Sequence, residues 1–186
     1  MKRICVILLA AAMLLPMAGC GMKLHTLTDA EAAAILREKG PEARALTDFF
    51  YGSPPLSGEI EIDPAWTTAH YFPLAADYRF QTEAQVREAA EKVYTAEFLG
   101  PVYAYCFDGS DDFTSRYGEY EGRLTLDVTK PAFGQMPSLD YGSARVVKGT
   151  RFTCRAEVTA DNGKKYEIDF SYDKELGDWK FDSLVY

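Results

Sequence analysis

The sequence predicts an α+β fold in which N-terminal helices pack on a mainly antiparallel sheet that ends in a C-terminal β-meander. Apolar residues recur at helical spacing in the first half of the chain and alternate with polar residues in the second half. Helices that come first and strands that follow are typical of α+β domains, because α/β folds alternate the two. The chain of 186 residues is long enough to bury one substantial core. We therefore expect a single α+β domain over residues 28–186.

The first 20 residues are typical of an export signal. Lys2 and Arg3 precede an apolar run, residues 4–17, that is too short to span a bilayer stably. The run ends in Met17-Ala18-Gly19-Cys20, which resembles the lipobox of bacterial lipoproteins, in which the cysteine is diacylated. This predicts a lipoprotein signal peptide at 1–19, lipidation at Cys20, a lipidated tether at 20–27 and anchoring on the extracellular face of the cell membrane. An ordinary secretion signal with a chance cysteine is the alternative.

The charge balance is acidic and excludes some partners. The chain has 20 basic and 28 acidic side chains. Cleavage before Cys20 removes two basic residues and no acidic one, so 18 basic and 28 acidic side chains remain, a net charge of −10. This argues against nucleic acid and anionic lipid as partners and allows steering toward basic proteins. The alternative is that the acidity only keeps the protein soluble.

Capping signals predict the helices. Thr28 and Glu31 have the spacing of a capping box, and so do Thr82 and Gln85. Gly40-Pro41 predicts the end of one helix and the start of another, because glycine favours a helix end and proline a first turn. The expected helical pieces are residues 28–39, residues 42–51, a helix that begins at Thr82, and residues 96–107, capped by Thr95 and broken at Gly100-Pro101.

The last 44 residues predict the meander and its register. A three-residue loop, Asp161-Asn162-Gly163, keeps the apolar residues of both flanking strands on one face, with Gly163 in the left-handed conformation. A one-residue shift would move one set to the opposite face. The expected pairs are Phe152 with Tyr172, Cys154 with Phe170, Ala156 with Ile168, Val158 with Tyr166, Tyr172 with Trp179 and Phe170 with Phe181.

Two further segments lie between the helices and the meander. A strand region begins near Gly118, with Tyr120, Leu124, Leu126 and Val128 predicted on one face. A long loop that contains proline and glycine, residues 130–142, follows it. Loops of this length inside compact domains are more often functional than loops of median length.

Cys106 and Cys154 are the two cysteines that remain beyond Cys20. An even number of cysteines in an oxidising compartment is compatible with a disulfide between the last helix and the sheet. The alternative is two buried thiols that act as small hydrophobic groups, because Cys154 lies on the inward face of its predicted strand.

The sequence does not favour catalysis or metal binding. A thiolate needs a neighbouring imidazole to act as a nucleophile, and the mature chain offers only His25, close to the anchor, and His70, between apolar residues. Calcium-loop positions fall on Asp108, Ser110, Asp112 and Glu119, but the glycine of the sharp turn is replaced by phenylalanine. We therefore expect a non-enzyme that uses no cofactor and no metal.

Three sequence runs carry a family resemblance. They are TDAEAAAILRE, DYRFQTEAQVREAAEKVYTAEF and SARVVKGTRFTCRAEVTADNGKKYEIDFSYDKELGDWKFDSLVY. Their order resembles the extracellular DL-endopeptidase inhibitor (IseA-like) family of Gram-positive bacteria and, more loosely, the NTF2-like α+β lipoproteins. The final run contains Gly177-Asp178-Trp179, where the family ending has aspartate before glycine.

The resemblance implies a non-catalytic partner-binding protein. It implies binding to the catalytic domain of NlpC/P60-type cell-wall hydrolases and inhibition of their access to peptidoglycan. The alternative, from the looser resemblance, is an NTF2-like lipoprotein that binds a small ligand in a cavity between helices and sheet. Two loops, residues 108–117 and 130–142, are the expected contact regions, since acidic and aromatic side chains concentrate there. The candidate contact residues are Asp108, Asp111, Asp112, Tyr117, Phe133, Met136 and Tyr141.

Overall fold

The predicted α+β class is confirmed, with helices in the N-terminal half and a strand meander at the C-terminus. A computed structural model describes residues 26–59, 61, 63–65, 67–134 and 136–186. The predicted signal peptide, Cys20 and most of the tether lie outside these residues. The helices are α1 (Asp29–Tyr51), α2 (Glu83–Val93) and α3 (Ala96–Tyr103). The strands are β1 (Tyr71–Pro73), β2 (Tyr117–Tyr120), β3 (Arg123–Asp127), β4 (Arg145–Gly149), β5 (Thr153–Thr159), β6 (Lys165–Asp173) and β7 (Asp178–Phe181).

Helix α1 is continuous, so the predicted break at Gly40-Pro41 is wrong. A proline inside a helix removes one hydrogen bond and crowds the preceding turn. One apolar stripe nevertheless runs through the whole helix and is buried on both sides of Pro41. Gly40 itself is buried against the ring of Tyr141, where a Cβ atom would lie 2.5 Å from Cζ. Tertiary packing therefore overrides the local signal for a helix end.

Helices α2 and α3 begin where their caps predict. The Thr82 hydroxyl accepts from the backbone N–H of Gln85, whose side chain bonds back in a capping box, and the Thr95 hydroxyl accepts from the N–H of Phe98. Pro101 lies inside α3 without breaking it, which is a second correction of the same kind. A π-helical turn, Ala104–Asp108, follows α3 and places Cys106 in the core.

The four-stranded sheet is the predicted meander. Its order is β4-β5-β6-β7, and all neighbouring strands are antiparallel. The predicted register is confirmed for Cys154 with Phe170, Ala156 with Ile168 and Val158 with Tyr166, and also at both β6–β7 pairs. Gly163 has a φ of +75°, as the three-residue loop requires.

A second, three-stranded sheet has the order β1-β3-β2, and it corrects the prediction for Tyr120. Glu121 and Gly122 both have positive φ and form a tight turn between β2 and β3. Tyr120 pairs with Arg123, so its side chain lies on the face opposite Leu124 and Leu126. It is 68% exposed.

Helix α1 joins the two sheets. Near its N-terminal end, Asp29 accepts the N–H of Val146 in β4 at 2.7 Å, and at the middle of the helix Lys39 donates to the Trp179 carbonyl oxygen in β7 at 2.7 Å. Near its C-terminal end, the ring of Phe49 stacks on Tyr117 of β2 with centroids 4.2 Å apart. The helix therefore packs on the four-stranded sheet first and on the three-stranded sheet at its other end.

Candidate partner-binding site

A surface groove lies at the C-terminal end of α1. It has a volume of about 430 Å³ and is closed on one side by the long loop that follows β3. We call it the loop groove and call residues 128–140 the crossing loop, because they pass from the small sheet to the meander over α1. The loop groove is lined by Arg44, Asp48, Gly52, Ser53, Pro54, Pro55, Tyr78, Phe133, Gly134 and Met136.

The crossing loop is fixed where it leaves β3. The Asp127 side chain is fully buried, and its Oδ1 accepts from the Thr129 N–H at 3.0 Å, the Thr129 hydroxyl at 2.7 Å and the His70 N–H at 3.0 Å. A carboxylate that accepts several hydrogen bonds compensates the cost of its burial. Asp127 therefore sets the direction in which the loop begins.

Arg116 fixes the next part of the crossing loop from the protein interior. Its side chain is only 1% exposed. Nη1 donates to the Pro131 carbonyl oxygen at 3.0 Å, and Nη2 donates to that of Gly52 at 2.5 Å. Nε has no hydrogen-bond partner among the described residues. One buried guanidinium thus joins the loop to the end of α1, and no pattern in the sequence marks this arginine as buried.

Arg44 and Leu139 fix the far half of the crossing loop. The Arg44 guanidinium donates to the Pro137 carbonyl oxygen at 2.5 Å and to that of Met136 at 3.1 Å, while Nε binds Asp48. Leu139 is buried and bridges to Ala160 beside the meander. The loop is therefore held by side-chain contacts at several points along its length.

Phe133 is the most exposed aromatic side chain of the loop groove, and its position is fixed. It is 58% exposed. Its N–H donates to the Tyr51 carbonyl oxygen at 2.8 Å, and its ring meets the Tyr51 ring edge-to-face at 5.2 Å. Tyr51 in turn stacks on Tyr105 at 6.0 Å, and burial raises the pKa of Tyr51 to about 12. A held aromatic ring loses little conformational entropy when a partner covers it.

Three of the predicted contact residues are not free surface groups. The prediction that Tyr117 contacts a partner is wrong, because this side chain is 1% exposed and its hydroxyl donates to the Phe49 carbonyl oxygen. Tyr141 is half-buried and packs against Gly40. Asp108 is exposed, but its carboxylate lies 3.2 Å from the Arg87 guanidinium.

The other predicted contact residues divide between two places. Phe133 and Met136 meet at the loop groove. Asp111 and Asp112 are exposed on the turn before β2. The sequence therefore identified one wall of the groove, while Pro54, Pro55 and Tyr78, which come from other segments, could not be assigned to it from sequence alone.

The disulfide that the sequence left open between Cys106 and Cys154 is wrong, and the alternative of two buried thiols holds, because both cysteines are free and buried. The Cys106 thiol points at the Phe50 carbonyl oxygen, 3.8 Å away, near the C-terminal end of α1. Cys154 pairs with Gly149, which lies against Thr26 just before the helix begins. The two cysteines thus lie toward opposite ends of a 23-residue helix, about 33 Å long. A disulfide needs Cα atoms within about 7 Å.

The thiols and His70 do not form a reactive pair. Burial raises the pKa of Cys106 to about 12 and that of Cys154 to about 11, so both stay protonated near neutral pH. The His70 ring contacts the Thr68 carbonyl oxygen through Nδ1 at 2.7 Å. Across the residues that the structure describes, no group of three or more His, Cys, Asp or Glu side chains is arranged to hold a metal ion.

Comparison with known proteins identifies no family. No family model matches the chain, and no curated protein matches it. Within the described ranges, no helix has both the length and the apolar character needed to cross a bilayer.

Proposed function

We propose that this chain is a membrane-anchored, extracellular, non-catalytic binding protein that inhibits NlpC/P60-type peptidoglycan DL-endopeptidases by covering their substrate cleft. Phe133 carries this proposal, as an exposed aromatic ring held above an open groove by Tyr51 and the crossing loop. Aromatic anchors that are ordered before binding are typical of inhibitory interfaces. The family resemblance supplies the partner class.

The loop groove combines an apolar wall with a charged pair. Pro54, Pro55 and Phe133 supply apolar surface, while Arg44 and Asp48 form an ion pair of 3.0 Å at its edge. Apolar area with a few polar groups at the rim is the usual composition of a binding interface. A partner loop with an apolar tip would fill the groove and displace water from Phe133.

The position of the groove suits an anchored inhibitor. Helix α1 begins nine residues after Cys20, and the groove lies at its other end, about 33 Å away along the helix axis. If Cys20 carries the lipid, the tether enters at the meander end of α1. The groove then lies at the end of the domain that is remote from the tether and accessible to wall-bound enzymes.

The NTF2-like alternative requires a ligand cavity between helices and sheet. The side of the meander that faces the helices is filled by buried side chains, among them Ala156, Ile168, Phe170 and Phe181. The loop groove lies outside this layer. Among the described residues, no observation therefore favours small-ligand binding between the layers.

A purified NlpC/P60 endopeptidase and its peptidoglycan substrate test the proposal directly. The soluble chain from residue 24 onward is expected to slow cleavage, and Phe133→Ala is expected to weaken inhibition at least about tenfold, as for a hot-spot aromatic. Leu176→Ala is the matched control, since Leu176 is 66% exposed on the turn between β6 and β7 and should change nothing. No slowing at micromolar excess across several such enzymes would refute the proposal.

A further inference from the structure

The end of the meander that carries the β4–β5 and β6–β7 turns also receives the N-terminal segment. These two turns comprise residues 150–152 and 174–177, and we call them together the turn patch. The Thr26 methyl group lies against Gly149, 2.7 Å from the position that a Cβ atom would take there. The segment between Cys20 and α1 therefore joins the domain beside the turn patch.

Two cations share one aromatic ring in the turn patch. The Arg151 guanidinium lies 4.6 Å from the centroid of the Phe152 ring, and Lys174 Nζ lies 4.3 Å from the same centroid. Both basic residues are exposed, and neither has an ion pair within the described ranges. Each cation is attracted to the ring, but the two repel each other. An anion beside them would relieve this repulsion and gain from both charges.

This end of the domain is positive although the chain as a whole is acidic. The carboxylates that flank the β6–β7 turn, Asp173 and Asp178, are each paired with a lysine, at 2.9 and 2.6 Å. Glu175 in the turn and Lys148 next to Gly149 have no ion pair in the part of the chain that the structure describes, and their charges cancel. The two cations on the ring therefore remain in excess. Exposed charges more than about 10 Å away are largely screened at physiological salt, so this local excess outweighs the net charge of −8.

Leu176 adds an exposed apolar side chain to the turn patch. It is 66% exposed and lies two residues after Lys174. Its N–H donates to Asp173 Oδ1 at 3.1 Å, which orders the turn that presents it. Basic side chains beside an apolar one are typical of protein surfaces on anionic bilayers, where cations meet the headgroups and the apolar group enters the acyl boundary. A small soluble anion would make no use of the leucine, so the combination favours a lipid surface.

We propose that the turn patch docks on the anionic headgroups of the membrane that holds the anchor, with Arg151 and Lys174 at the phosphates and Leu176 at the acyl boundary. The proposal rests on the anchoring part of the proposed function and is independent of the hydrolase. Six peptide units from Cys20 to Thr26 reach at most about 20 Å. An anchor at Cys20 therefore keeps the turn patch close to the bilayer, and this short tether favours docking through a high effective concentration.

Docking would also set the direction in which the loop groove faces. The crossing loop ends next to Leu139 and Ala160, which bridge past the opposite end of β5 from the turn patch. Strand β5 has seven residues and is about 23 Å long. A turn patch on the membrane therefore directs the crossing loop away from the bilayer and toward the cell wall.

Vesicles with a synthetic anchor test the docking. The chain from Cys20 onward is coupled through the Cys20 thiol to a maleimide lipid, since Cys106 and Cys154 are buried. Leu176→Trp, and Asn162→Trp at the opposite turn of the meander as its control, report contact with brominated acyl chains through fluorescence quenching above that of the parent chain. We expect quenching of Leu176→Trp alone, and only in vesicles that contain phosphatidylglycerol. Equal quenching of the two chains, or equal quenching in pure phosphatidylcholine, would overturn the proposal.

Two double variants in the Leu176→Trp chain test the role of charge. Arg151→Gln with Lys174→Gln is expected to lower the ratio of docked to undocked chain about tenfold or more, with an unchanged melting temperature because both side chains are exposed. The control, Arg37→Gln with Lys164→Gln, removes the same charge from exposed positions elsewhere and should leave the ratio nearly unchanged. Equal loss in both variants would show only general attraction by net charge and would overturn the proposal.

A soluble competitor separates the bilayer from other phosphate polymers. Poly(glycerol phosphate) at the same phosphate concentration should leave most of the Leu176→Trp quenching in place, because it offers no acyl boundary for the apolar side chain. Complete displacement would overturn the proposal in favour of a wall polymer. Because the maleimide lipid supplies the anchor, failure of docking leaves the hydrolase assay on the soluble chain unaffected, and acylation of Cys20 is read separately from the mass of the membrane-extracted protein.

Discussion

The two ends of α1 carry surfaces of different character. At the meander end, charges on the outer sheet face neutralise one another, with Arg155 close to both Asp169 (2.6 Å) and Glu167 (3.0 Å) and with Lys165 close to Glu157 (2.6 Å). At the other end, the structure leaves Phe133 and Tyr120 exposed and buries Arg116. These charges on the outer meander face are therefore paired within the domain, while the other end presents exposed aromatic side chains that a partner could cover.

Arg116→Met is expected to have the largest effect on stability. It removes the hydrogen bonds to the carbonyl oxygens of Gly52 and Pro131 inside the protein, which should cost about 2–4 kcal/mol in the free energy of unfolding. Urea denaturation measures the change. The matched change at the meander end, Arg155→Met, should barely move the midpoint, because that side chain is exposed. Equal effects at the two positions would remove the contrast between the two ends.

Gly40→Ala tests the contact between α1 and the residue that follows the crossing loop. The new methyl group would lie 2.5 Å from the Tyr141 ring, so overpacking should cost about 1–3 kcal/mol. Alanine has a higher helix propensity than glycine and offsets up to about 1 kcal/mol of this. Tyr141→Leu in the same chain should restore most of the stability. A stabilising Gly40→Ala in urea denaturation would mean that Tyr141 moves aside easily.

The buried thiols predict a loss of stability in alkaline solution. Burial raises the pKa of Cys106 from 9.0 to about 12 and that of Cys154 from 9.0 to about 11. Between the unfolded and folded pKa values the folded state holds more protons, so the free energy of unfolding falls as the pH rises above about 9. Thermal melts from pH 8 to 11 should show the fall, which Cys106→Ala should reduce more than Cys154→Ala. A pH-independent melting temperature would contradict the burial argument.

The meander could be predicted in detail because its signals are local. Alternation from Phe152 to Phe181 and a turn at Asn162-Gly163 determine a register that only one loop length satisfies. Local signals gave a wrong prediction at Pro41, where a helix break was expected, because an apolar stripe on both sides of the proline keeps the helix intact.

The site was less predictable because it depends on distant segments. The groove joins residues near 54, 78 and 133, and no short motif links them. Arg116 and Tyr117 lie in an acidic, polar stretch, so their burial follows only from how β2 packs on Phe49 and the end of α1. Glu121-Gly122 is an unusual pair for a tight hairpin turn. The sequence therefore did not indicate the chain reversal between β2 and β3, which places Tyr120 on the exposed face of the sheet.

The strand order of the three-stranded sheet has a consequence for folding kinetics. Every meander strand pairs with its neighbour in sequence, whereas Phe72 of β1 pairs with Leu126 of β3 at a sequence separation of 54, and the intervening segment includes α2 and α3. Closing such a long segment costs more chain entropy before any contact compensates it. We expect the three-stranded sheet to assemble after the meander and to show weaker protection in amide hydrogen exchange. The half of the domain that carries the loop groove would then be the half that opens first.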